Sequence, residues 1–136
     1  MKLARLIFLV AGVLGVIEIV PLYLEEAAMN RRFPPAITHP EYYYGFIGVT
    51  LAWQLAFLLI SRDPLRYRQL MPIAVVEKLS YVVAMIVLGL MNRVASTTVV
   101  VGMLDLVWAV LFSLAYVRTR AETAVGGGAW GAGGQA

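Results

Sequence analysis

The chain has 136 residues, 61% of them hydrophobic and 14% charged, with a mean hydropathy of +0.80. Soluble domains are about 45–50% apolar and about 25% charged, so this composition excludes a water-soluble enzyme and a disordered chain. The net charge of +3 fits loops facing anionic lipid better than a nucleic-acid partner. The absence of cysteine excludes disulfides, thiolate chemistry, Cys–zinc sites and iron–sulfur clusters.

Crossing about 30 Å of hydrocarbon takes about 20 mostly apolar residues. Four stretches meet that length: 6–24, 43–60, 70–91 and 97–117. In lipid, runs this long satisfy their backbone polar groups as helices. The expected fold is therefore all-α, a polytopic membrane protein built as a four-transmembrane-helix bundle. Lys2, Arg5 and the apolar run after them imitate a signal peptide. Glu18 interrupts that run before any small-residue cleavage site, and Pro21 to Leu24 continues it, so the segment reads as a retained span. Pro21 removes the N–H that would bond the Ile17 carbonyl, which predicts a kink there.

The connections are read in the same order. Residues 25–41 form the long loop, stiffened by Pro34, Pro35 and Pro40 and carrying the single histidine, His39, as an incidental loop residue. The second loop is short and basic, with Arg62, Arg66 and Arg68; the third, 92–96, is tight. Lys2, Arg5, Arg62, Arg66, Arg68, Arg118 and Arg120 fall on one side, and Arg31, Arg32 and Arg93 on the other. This excess of Lys and Arg predicts that both termini are cytoplasmic. Tyr42, Tyr43 and Tyr44 sit where an outer aromatic belt belongs, and Tyr67 and Tyr116 where an inner one does. Residues 121–136, rich in Gly and Ala, read as a flexible cytoplasmic tail behind a transmembrane domain of residues 1–120.

Charges inside a span cost about 2.5–3.5 kcal/mol each on insertion scales, so they point to a functional cavity or proton site, with a structural interhelical network as the alternative. The candidates are Glu18, Glu77, Lys78 and Asp105, with the polar Gln54 beside them. At a rise of 1.5 Å per residue, Glu18 and Asp105 lie about 9–12 Å below the outer face, while Gln54, Glu77 and Lys78 lie at a similar depth from the inner face. Two polar layers follow. Small residues on the same helical faces, including Ala11, Gly15, Ala74, Gly102 and Ala109, favour close packing around them. Glu18 and Asp105, expected to meet without a cation at their level, would share a proton, which suits either binding a cationic, amphipathic ligand or carrying protons. Lys78 is expected to pair across helices or snorkel rather than bond Glu77, because adjacent residues diverge on a helix. Trp53 and Trp108 are read as packing residues, with a ligand-facing wall as the alternative. No metal or cofactor site is expected, since there is no His cluster and no phosphate loop.

The run His-Pro-Glu-Tyr-Tyr-Tyr-Gly-Phe-Ile-Gly from His39, Ala-Trp-Gln from Ala52, Asp-Pro-Leu-Arg-Tyr-Arg from Asp63, Glu77-Lys78, and Asp-Leu-Val-Trp-Ala-Val-Leu-Phe from Asp105 resemble small uncharacterised bacterial four-helix integral membrane proteins. Size and layout are loosely similar to DoxX-like proteins. The resemblance covers about residues 38–117 and implies an architecture and a bacterial cytoplasmic membrane, with no activity and no site. Small multidrug resistance transporters also have four helices and a carboxylate in the first, where Glu18 stands; Lys78 and Asp105 depart from their pattern. Three readings follow. The first is a membrane protein that binds a hydrophobic or amphipathic ligand, or a partner helix, through a buried polar interior. The second is a proton-coupled transporter working as a homodimer. The third is a carboxylate-dependent isomerase of a lipid-like substrate, the one enzyme reading left open.

Overall fold

A computed structural model of the chain describes residues 1–127, with side chains as far as 121. Every element is helical among the described residues: α1 (Lys2–Ile19), α2 (Glu26–Arg32), α3 (Pro40–Arg62), α4 (Met71–Leu90), α5 (Ser96–Gly102) and α6 (Leu104–Gly127). They make four segments long and apolar enough to cross a membrane: Lys2–Leu24, Pro40–Arg62, Arg68–Leu90 and Ser96–Ala121. The fold is the expected all-α four-helix bundle. Only 22–28% of each span is buried inside it. Much of the remainder is an apolar exterior, carrying Leu6, Val13, Val83 and Val110 among others. A surface that apolar is suited to lipid and not to water.

Local chemistry sets the ends of the helices. Pro40 and Pro72 sit in the first turns of α3 and α4, where a missing N–H is harmless. Asn92 closes α4 with a φ of 55°. Its N–H bonds the Gly89 carbonyl, and the Arg93 N–H reaches back to Leu88, both at 2.9 Å; this is a left-handed helix cap, a conformation Asn tolerates. After Ile19 the first span tightens into a 3₁₀ turn, Val20–Leu24, around Pro21. The Tyr43 hydroxyl donates to the Leu22 carbonyl at 2.8 Å, tying that turn to α3.

Three features depart from the expectation. The long loop contains a two-turn helix, α2, held at its end by the Ile37 N–H donating to Asn30 Oδ1 at 2.7 Å. The fourth span breaks at Met103, between α5 and α6. Thr97, Thr98 and three consecutive valines before Gly102 are all weak helix formers, which accounts for an interruption there. The last helix runs to Gly127, past the point where the tail was expected to begin; residues 128–136 of that expected tail lie outside the described residues.

Packing is uneven. α1 lies along α3, α4 along α6, and α1 against α6, while α3 and α4 touch little. The core collects at the end of the bundle that carries the N-terminus. Phe8, Phe57 and Phe112 are fully buried there, surrounded by Ala4, Ala11, Ile60, Ala74 and Ala115. Phe8 stacks on Phe112 at 4.4 Å between ring centres, and Phe57 tilts against Phe112 at 4.9 Å.

Candidate functional site

Above this aromatic floor the four spans separate around a cavity of about 710 Å³. Glu18 reaches it from α1, Gln54 from α3, Glu77 and Lys78 from α4, and Asp105 from α6. All five residues singled out in the sequence therefore line one space. Trp53, Trp108, Phe46 and Tyr81 form much of its wall. The two tryptophans also pack on the floor, Trp53 at 6.1 Å from Phe57 and Trp108 at 6.0 Å from Phe112, so they are packing residues that also border the cavity.

Lys78 is the electrostatic centre. It is 8% exposed, and its Nζ stands 3.4 Å from Glu77 Oε2 and 3.5 Å from Asp105 Oδ1. Its Nζ also donates to Glu77 Oε1 at 3.4 Å and lies 5.5 Å from the Phe57 ring centre. These separations are long for hydrogen bonds, so attraction between charges carries the cluster. Glu77 Oε2 is buried without a hydrogen bond.

This geometry corrects three expectations. Asp105 does have a cation at its level. The two depths leave only about 6 Å between layers in a core of about 30 Å, a gap the lysine stem spans. Lys78 meets Glu77 after all, because a long flexible side chain overcomes the divergence of adjacent positions. Glu18 and Asp105 share no hydrogen bond among the described residues: Asp105 is engaged by Lys78, and Glu18 stands exposed on the cavity wall with neither ion pair nor hydrogen bond.

The glycines serve helix packing, as expected of small residues on these faces. A Cβ on Gly15 would overlap the Gln54 side chain, whose Cγ would be 2.8 Å away; one on Gly102 would meet Met85 Cγ at 2.7 Å. Gln54 is thus seated against the bare backbone of α1. Its Nε2 donates to the Thr50 carbonyl at 3.2 Å, and the residue is buried.

No protein-family model, curated protein or solved structure matches the chain. The site has to be read from its own chemistry. Three carboxylates line the cavity against one ammonium, and that ammonium is already held by two of them. Among the described residues, no three His, Cys, Asp or Glu side chains converge in a way that could hold a metal ion. The Met103 break escaped the sequence reading. Tyr81 stands four residues after Glu77 on α4, one turn along the same face, as helical spacing from Glu77 indicates, and it lines the cavity.

Proposed function

We propose that this protein binds a small amphipathic ligand with a cationic head inside its helix bundle. The observation that supports this most directly is the excess of carboxylates in an aromatic-walled cavity of about 710 Å³. An unneutralised carboxylate in an apolar medium is costly, and a cation brought by the ligand relieves that cost. Aromatic faces add cation–π attraction. Glu18, without a hydrogen bond or ion pair among the described residues, is the residue we assign to the ligand head, with Asp105 and Glu77 setting the field around Lys78.

The experiment uses lipid nanodiscs and a Trp130→Phe background, so that Trp53 and Trp108 report alone. Dodecyltrimethylammonium should change their fluorescence with at least tenfold higher affinity than dodecyl sulfate, which has the same chain and the opposite charge. Glu18→Gln should weaken the cation by about tenfold, or about 1.4 kcal/mol. Equal affinities for the two amphipaths would refute the reading.

The proposal places both termini on the cytoplasmic face of a bacterial membrane, on the strength of seven Lys and Arg against three in the connections and ends. Reporter fusions at either terminus should read from the cytoplasm; a reporter active outside would reverse the topology. A dimeric proton-coupled transporter is the second reading. It draws on the breaks at Val20 and Met103, since interrupted helices line substrate sites in many transporters. It would also require a path through the aromatic floor.

A further inference from the structure

We infer that the ligand is drawn from the bilayer, sideways through the seam between α3 and α4, and that its apolar chain lies in that seam. This rests on the binding reading above and adds the source of the ligand and its chemical class, a single-chain, lipid-dissolved cationic amphipath.

Contact between neighbouring spans is extensive for α1 with α3 and for α4 with α6, intermediate for α1 with α6, and slight for α3 with α4. The cavity runs along this weak seam, from Phe46 to Phe57 on α3 and from Ile73 to Tyr81 on α4. At 1.5 Å per residue those segments are about 12–16 Å long, enough for an alkyl chain of medium length lying parallel to the helices. The rims are apolar and open. Phe46 is 51% exposed and Val49 64% on one side; Ile73 is 49% and Val76 64% on the other.

The other approaches are less open. At the end that carries the N-terminus, Phe8, Phe57 and Phe112 fill the bundle. At the opposite end the 3₁₀ turn Val20–Leu24 and α2 are tied to α3. Tyr43 bonds Leu22, the Tyr44 hydroxyl donates to Glu26 Oε2 at 2.8 Å, and Tyr44 stacks with Tyr23 at 6.2 Å. No hydrogen bond crosses from α3 to α4 among the described residues; Lys78 Nζ meets the Phe57 ring there at 5.5 Å, at the level of the floor. Through the seam a chain passes from lipid to cavity without leaving apolar surroundings, and only the head has to move to the carboxylates. Charge complementarity chooses the head: after Lys78 is counted, the lining keeps an excess of negative charge.

The test uses a chain whose only tryptophan is Trp53 (Trp108→Phe, Trp130→Phe) in nanodiscs of phosphatidylcholine with mid-chain bromines, which quench tryptophan on contact. Lipid bromines should quench Trp53. Filling the rims with Val49→Phe and Val76→Phe should cut that quenching at least twofold, and should slow the fluorescence response to dodecyltrimethylammonium preloaded in the bilayer. Val110→Phe, on an exposed position outside the cavity lining, should leave both unchanged and serves as the control for folding. If dodecyltrimethylammonium still shifts Trp53 while the filled rims alter neither quenching nor rate, the seam is overturned and the binding reading stands. If dodecyltrimethylammonium shifts Trp53 at no concentration, both fall.

Discussion

Replacing Lys78 with Ala should be the most damaging single change in the bundle, costing about 3–5 kcal/mol of stability. Its ammonium is buried between Glu77 and Asp105, at 3.4 and 3.5 Å. Removing it strands two carboxylates on adjacent helices in a medium that does not solvate them. The loss exceeds the net worth of the cluster, because what is measured is the penalty on the groups left behind. Hence a second expectation: Lys78→Met combined with Glu77→Gln and Asp105→Asn should recover most of the stability, since no charge is then left uncompensated. Thermal unfolding followed by circular dichroism in one detergent measures both. A Lys78→Ala variant that melts like the parent would mean that the cluster is hydrated and contributes little. If the single variant is destabilised and the triple variant is no better, the cluster matters through its shape and not its charge.

The parts of this molecule that were legible in sequence are those where one property runs along a whole segment. Each span is apolar over its length, so the four helices follow from hydropathy and backbone satisfaction alone. The five polar residues stood out because lipid makes each of them expensive, and their convergence on one cavity follows from the same cost. Pro21 announced its own disturbance through a missing N–H. What was not legible depends on reach and on neighbours. Depth counting treated Lys78 as a point on its helix, whereas its ammonium sits a stem's length away, beside Asp105. Gly15 was read as a place of close approach, but only the pairing of α1 with α3 reveals that Gln54 fills it. The break at Met103 had a signal in the β-branched run before Gly102, but the uniform apolarity of the span masked it. α2 was hidden among prolines because a two-turn helix carries too few residues to show a period.

Phe112→Ala should weaken the bundle and open the floor of its cavity. The ring is fully buried and stacked on Phe8 at 4.4 Å, with Phe57 at 4.9 Å and Trp108 at 6.0 Å. In aqueous cores Phe→Ala costs about 3–5 kcal/mol, part of it the transfer of the ring out of water. In a membrane the separated helices still bury that surface in lipid, so the transfer part shrinks and lost packing remains, about 2 kcal/mol. Phe112→Leu should restore most of it. The consequence for access is larger. Because the chain has no cysteine, a single thiol placed by Ala74→Cys, in the buried cluster beside the floor, reports on water there. With Phe112 in place it should react slowly with a hydrophilic maleimide; with Phe112→Ala the rate should rise at least tenfold. The rise should come from maleimide added on the side of the termini, since that is the end the three rings close. Equal rates in the two backgrounds would mean that the seal lies elsewhere. A fast rate in both would mean the cavity already communicates with that side, and the dimeric proton-coupled transporter would then become the stronger reading of the same polar interior.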